Sequence, residues 1–224
     1  MFHLGCRGVN LGLNFHSMPT ILIATSNPGK LRDFAGAAAP HGIEIASLPN
    51  FQDLPEVIED GTTFEANARK KAEHYSRFAP GRLVLADDSG LEVDALQGAP
   101  GVRSARYAAS DETAPQNAPD RANNTRLLHE LQGVQAQQRS AHFVCVLAAA
   151  RDGETLATFR GLVAGTILTA ARGSSGFGYD PLFYVAGLEK TFAELESEEK
   201  ARYSHRGAAF RKFLEWELSG ERGV

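Results

Sequence analysis

TILIATSNPGKLRDFAGAA, residues 20–38, starts as a β-rich apolar run, crosses Ser26-Asn27-Pro28-Gly29 and ends rich in alanine. Positions 20–25 read as a buried strand and 26–29 as turn chemistry. Residues 30–38 read as a helix that stops near Pro40. A second strand is expected at 43–48, so the unit is strand–helix–strand. Working outward, 51–61 is an acidic, proline-marked loop, and Thr62 or Thr63 can cap a helix running to 78 before Pro80-Gly81. Another buried strand is expected at 83–86, followed at once by Asp87-Asp88-Ser89-Gly90, a strand end or a turn, and a short strand at 91–96. Residues 109–119 are polar and read as a mobile loop, and 121–131 as a helix. Strands at 141–149 and 154–166 flank Asp152-Gly153, a strong hairpin signal. A glycine-rich loop occupies 174–181, and Phe210, Phe213, Leu214 and Leu218 recur at helical spacing in 204–218. Strand–helix–strand first and a long hairpin later predict an α/β fold with a mixed sheet.

The chain has 224 residues, enough for one large domain or two fused lobes with a real core. With 43% apolar and 22% charged residues, it is neither a disordered chain, a collagen nor a coiled coil. A formal net charge of −4 argues against a nucleic-acid partner, while leaving room for a small phosphorylated ligand held by a few local cations. Cys6 and Cys145 form no CxxC pair, which predicts a reducing, cytoplasmic setting without a disulfide framework. The longest apolar run, near 143–150, is far short of the ~20 residues that span a bilayer, so no membrane role is expected. Residues 1–17 lack a basic start and a continuous apolar stretch, and read as an extension outside the core rather than a signal peptide. The catalytic domain is expected to be a single unit over 18–224.

Five stretches carry chemistry. Thr25-Ser26-Asn27-Pro28-Gly29-Lys30 joins strand to helix, where free N–H groups and the dipole suit phosphate; an ordinary connector is the alternative. Ala24 and Leu31 break the P-loop pattern. Asp87-Asp88-Ser89-Gly90 follows a buried strand, where adjacent carboxylates hold Mg²⁺ or polarise a water, or merely form a solvated turn. Glu59-Asp60-Gly61, with Glu65 nearby, is an acidic loop or a second metal ligand. Gly173-Ser174-Ser175-Gly176-Phe177-Gly178-Tyr179-Asp180-Pro181 lets backbone approach a flat ligand and offers rings for stacking, or is a flexible turn. Ser204-His205-Arg206-Gly207, with Lys200 before it, offers donors to a phosphate or a base; Lys71 taken alone is a surface lysine. Cations mixed with carboxylates favour a metal–nucleotide complex over a simple anion pocket, since polyphosphate repels carboxylates unless a divalent ion intervenes.

The stretches TSNPGKLRDF (25–34), EDGTTFEANARKKA (59–72), LADDSGLEVDALQGAPGVRSARYA (85–108), GSSGFGYDPLF (173–183) and SHRGAAFRKFL (204–214) occur in one order. In that order the chain resembles the inosine/xanthosine triphosphate pyrophosphatases, the house-cleaning enzymes of the Ham1 type. The resemblance implies two lobes around a long mixed β-sheet with flanking helices and a nucleotide cleft between them. It also implies a homodimer, Mg²⁺ dependence, and hydrolysis of ITP, dITP and XTP to the monophosphate and pyrophosphate. Carried over residue by residue, Thr25, Ser26, Asn27, Pro28, Gly29 and Lys30 match the triphosphate loop. Glu59 and Asp88 match the metal carboxylates, and Asp88 also the proton acceptor. Lys71 and Ser89 match substrate contacts, Phe177, Gly178, Tyr179 and Asp180 the base loop, and Lys200, His205 and Arg206 the substrate- and base-recognition residues. Ala66 stands where many relatives carry glutamate. A donor such as Arg206, or a backbone N–H, at the 6-oxo group of the base is expected to reject adenine, whose 6-amino group would leave that donor unpaired.

Overall fold

The computed structural model describes residues 20–109 and 117–219. The expected extension at 1–17 and most of the expected mobile loop at 109–119 lie outside the described residues.

Strand β1 (Ile21–Ile23) leads into helix α1 (Pro28–Ala38) and returns as β2 (Ile45–Ser47), parallel to β1. Helix α1 starts at Pro28, earlier than the sequence reading, because the Asn27 side chain caps it: its Oδ1 accepts from the N–H of Gly29 at 2.8 Å and of Lys30 at 3.1 Å. Helix α2 (Phe64–Ser76), capped by Thr63, crosses to β3 (Val84–Val93), which lies on the other side of β1 and parallel to it. Helix α3 (Asp120–Glu130) precedes the antiparallel pair β4 (Ser140–Arg151) and β5 (Glu154–Ile167). Asp152 and Gly153, both at positive φ, make its turn. Short strands β6 (Phe183–Val185) and β7 (Lys190–Thr191) extend the sheet, and helices α4 (Ser197–Tyr203) and α5 (His205–Ser219) close the chain. The result is one mixed seven-stranded sheet, ordered β2-β1-β3-β4-β5-β6-β7. The sequence reading does not anticipate β6, β7 or α4, which are too short to carry a periodic pattern.

One correction governs the site. The break expected at 87–90 and the separate strand at 91–96 do not form; β3 runs unbroken through both. Each of its residues from Val84 to Val93 pairs with β4, so a long antiparallel partner overrides the turn propensity of Asp-Asp-Ser-Gly.

The core lies in three clusters. On one face of the sheet α1 and α5 cover Ile23, Leu85, Cys145 and Leu147 through Phe34, Phe210 and Phe213. On the opposite face α2 covers Val84, Ala86, Val146 and Ala148 through Phe64, Ala68 and Tyr75. The third cluster builds a second lobe around Leu91, Val93, Phe143, Leu127, Tyr179, Phe183 and Phe192. α5 lies directly against β5 because Gly161 has no side chain: a Cβ there would collide with the backbone oxygen of His205.

Candidate active site

β1 pairs with β3 only at Val84 and Leu85. Beyond Leu85 the β1-side edge of β3 has no strand partner among the described residues, and Asp87 and Asp88 sit on this stretch. Side chains alternate along a strand, so Asp87 and Ser89 face one side of the sheet and Asp88 the other.

Asp87, 2% exposed, meets the amino-terminal end of α1 and the start of α5. Lys30 Nζ lies 3.0 Å from its carboxylate, Ser89 Oγ donates to it at 2.8 Å, and Arg206 Nε lies 3.6 Å away. Burial alone would raise this carboxyl, but Lys30, Arg206 and Lys71 outweigh it and hold it well below the usual carboxylate range. Arg206 also donates through Nη1 to Asp33 at 3.0 Å and through Nη2 to Ser89 Oγ at 2.7 Å.

Asp88, 7% exposed, faces α2. Asn67 and Lys71, one helical turn apart, both reach it: Asn67 Nδ2 donates to Oδ2 at 3.1 Å, and Lys71 Nζ to Oδ1 at 3.2 Å. Lys71 Nζ also donates to Glu59 Oε2 at 2.9 Å. Asn67 Oδ1 accepts from the Gly61 N–H at 2.8 Å, which ties the loop carrying Glu59 to the same helix. Burial pushes the Asp88 carboxyl up, and Lys71 and Lys30 offset this only in part. For Lys71, burial disfavours the charge, but Asp88 and Glu59 more than restore it, so the ammonium is held above its ordinary range.

The glycine-rich loop brings Phe177 across the start of α1. Its ring lies so close that a Cβ on Gly29 would meet it at 2.5 Å, which explains why position 29 carries glycine. Lys200 Nζ is 4.8 Å and Arg206 Cζ 5.0 Å from the ring centroid. Buried Asp180 fixes the loop by accepting from the Phe177 N–H at 2.8 Å and from Lys200 Nζ at 2.6 Å. His205, 1% exposed, stacks on Phe143 with ring centroids 4.7 Å apart, and its Nδ1 has no hydrogen-bond partner. Burial first, then Arg206 and Lys200, lower its pKa well below the ordinary histidine value, so the imidazole is neutral.

The structure thus gathers Thr25–Lys30, Glu59, Lys71, Asp88, Ser89, Phe177, Asp180, Lys200, His205 and Arg206 around one edge of β3. One expectation needs correction. Tyr179 turns into the second-lobe core, 3% exposed, where its hydroxyl donates to the Ser104 carbonyl at 2.8 Å, so its ring does not face the cleft. Arg206 is anchored within the protein, through Nη1 on Asp33 and Nη2 on Ser89 Oγ, while its buried Nε has no hydrogen-bond partner. Sequence reasoning missed Asp33, which holds Arg206 and lies 3.5 Å from Lys200, and Asn67, which holds Asp88. The one available signal is that Asn67 stands a helical turn before Lys71, on the same face.

No group of three or more His, Cys, Asp or Glu among the described residues is arranged to hold a metal alone. Glu59 and Asp88 are nevertheless paired carboxylates bridged by a cation, Lys71. Two carboxylates with substrate oxygens and waters are how Mg²⁺ is commonly held, so this donor set fits a divalent ion arriving with a polyphosphate.

The sequence profile of the Ham1 family matches residues 21–216. A dITP/XTP pyrophosphatase of Acidobacterium capsulatum is 53% identical over 197 residues, covering 87% of this chain and 96% of the relative. Among solved structures, the Ham1 protein of Staphylococcus aureus is 41% identical with a TM-score of 0.72, over 91% of this chain and 100% of that one. A HAM1 protein from Coxiella burnetii is 36% identical with a TM-score of 0.75, again over 91% and 100%.

Proposed function

The chain belongs to the Ham1 family, and from this premise we propose that it is a nucleoside-triphosphate pyrophosphatase. It hydrolyses ITP, dITP and XTP to the monophosphate and pyrophosphate and so clears them from the nucleotide pool. The names of its relatives support the reaction class. The observation that carries the reading to residues is Asp88: a buried carboxylate raised in pKa, flanked by a lysine and a second carboxylate, at an open strand edge.

The triphosphate lies over the start of α1, where the helix dipole and Lys30 favour its charge. Glu59 and Asp88 would hold Mg²⁺, which would neutralise phosphate charge and make the α-phosphorus more electrophilic. Asp88 accepts the proton of a water attacking that phosphorus, from a buried position fixed by Asn67 and Lys71. Lys30 and Lys71 leave their carboxylate partners for the departing pyrophosphate and offset its charge. No covalent intermediate is needed, since positioning and electrostatics supply the acceleration. Phe177 and the backbone of 178–180 receive the base. The unpaired Nδ1 of the neutral His205 and the unpaired Nε of Arg206 supply the polar choice at its edge.

The enzyme works as a cytoplasmic homodimer, and residues 1–17 lie outside its catalytic unit. No helix of the described residues is long and apolar enough to cross a membrane. A chain starting at Met18 is expected to match the full chain in melting temperature and turnover; a loss of either contradicts the assignment of 1–17.

Product analysis with Mg²⁺ and, separately, ITP, dITP, XTP, GTP and ATP tests the function. Monophosphate and pyrophosphate, strongly favouring ITP, dITP and XTP, is the expected result. Orthophosphate release, or equal turnover of all five, contradicts it.

A further inference from the structure

Lys71 is an unusual neighbour for a pair of metal carboxylates. Its Nζ touches an oxygen of each, 2.9 Å from Glu59 and 3.2 Å from Asp88, and the residue is 8% exposed. The three groups come from three different elements: a loop, a strand and a helix. The helix holds all three in register, because Asn67, one turn before Lys71, binds both the second oxygen of Asp88 and the Gly61 N–H beside the Glu59 loop. Lys30 does not share this role. Its ammonium is held by Asp87 on the opposite face of the sheet.

We propose that Lys71 is the resident counter-ion of the Glu59–Asp88 pair in the nucleotide-free protein, so that the divalent cation loads together with the nucleotide and not ahead of it. The inference rests on the reading of Glu59 and Asp88 as the metal carboxylates. Asp88 is buried and Glu59 half-buried, and both carboxylates share one ammonium, which neutralises the pair without an external ion. A divalent ion bound to the same oxygens meets the ammonium at close range, with twice the repulsion of two unit charges. The free protein therefore resists the metal. A polyphosphate changes the balance: it offers Lys71 new anionic partners within reach of its flexible stem and brings the divalent ion with it. The lysine then moves from keeping the site closed to metal to contacting the substrate. Ordered loading of this kind leaves the acidic pair neutralised when substrate is absent.

The test is Mn²⁺ binding followed by electron paramagnetic resonance, with and without a non-hydrolysable α,β-imido analogue of ITP. In the nucleotide-free protein Lys71→Met is expected to bind Mn²⁺ about tenfold or more tighter than wild type, the range seen when a close charge is removed. Lys71→Arg, which keeps the charge, is expected to bind as weakly as wild type. With the analogue present the advantage of Lys71→Met disappears. Should Lys71→Met fail to fold, Lys71→Gln, which still donates to a carboxylate, carries the same expectation. Equal or weaker nucleotide-free binding by the neutral variants overturns the proposal, as does tighter binding by Lys71→Arg. Glu59→Gln and Asp88→Asn separate the underlying reading: if both keep wild-type Mn²⁺ affinity in the analogue complex, the metal assignment itself is wrong, whatever Lys71 does.

Discussion

Asp87 and Asp88 are neighbours in the chain and almost equally buried, yet they belong to different machines. Asp87 is surrounded by Lys30, Arg206 and the Ser89 hydroxyl, and is held below the usual carboxylate range. Asp88 has an amide and a lysine, the latter shared with Glu59, and burial raises it. The strand alternation that turns them to opposite faces separates them. The Asp87 face clamps α1 to the start of α5 and, through Asp33, Lys200 and Asp180, reaches the aromatic loop. The Asp88 face holds a carboxylate that burial raises, in keeping with its proposed role as proton acceptor. On the proposed function, one residue type serves as framework or as reagent according to how many cations its face supplies.

The two isosteric amides break this comparison most directly. Asp88→Asn is expected to cut kcat by about 10²–10⁴, the usual worth of a general base, with the thermal melt little changed. Near-wild-type pyrophosphate release would end its assignment as the base. Asp87→Asn is expected to act mainly on stability, losing about 3–5 kcal/mol in urea denaturation, because Lys30 and Arg206 are left facing a neutral group. The pH dependence has opposite signs. Asp87, depressed in the folded state, contributes stability present above the unfolded aspartate value of about 3.9 and lost as pH falls through its folded value. Its variant's deficit is therefore full at neutral pH and shrinks in strong acid. Asp88, raised in the folded state, contributes stability present below about 3.9 and lost as pH rises through its folded value. From acid towards neutral pH, Asp88→Asn accordingly gains stability relative to wild type. The same sign of trend for both variants would show that the two faces are not electrostatically distinct.

Much of this arrangement was legible in the chain. The strand–turn–helix run at 20–38, the turn at Asp152-Gly153 and the apolar spacing of α5 are local signals, and they hold within a few residues. The course of β3 was not legible, because Asp-Asp-Ser-Gly is turn chemistry by composition and becomes strand only by pairing with β4. That misreading hid the division of labour, since a turn gives no reason for adjacent aspartates to face apart. The resemblance supplied the residues of the cleft but not the groups that hold them. Asp33 and Arg206 meet across a sequence separation of 173, and nothing local marks a helix aspartate as the partner of a distant arginine. Tyr179 shows the converse, a motif residue that reads as a ligand contact yet is occupied by the core.

Asn67 offers the finest test, because it acts on Asp88 without carrying charge. Its Nδ2 donates to Asp88 Oδ2, which favours the ionised carboxylate and so works against the rise caused by burial. In Asn67→Leu that donor is gone and the carboxyl rises further, so the acidic limb of the kcat profile moves to higher pH. On the plateau above that limb, where Asp88 is ionised in both proteins, the loss should be about tenfold, in line with one hydrogen bond to a charged group. A purely structural role would lower activity equally at every pH and leave the limb in place. Asn67→Asp sharpens the contrast further, since it puts a third carboxylate beside Glu59 and Asp88 and takes away the donor together. Its acidic limb should lie higher still, because like charge adds to the lost hydrogen bond. A limb that stays fixed in both variants would mean that Asn67 ties the Gly61 loop to α2 and does nothing to the ionisation of Asp88.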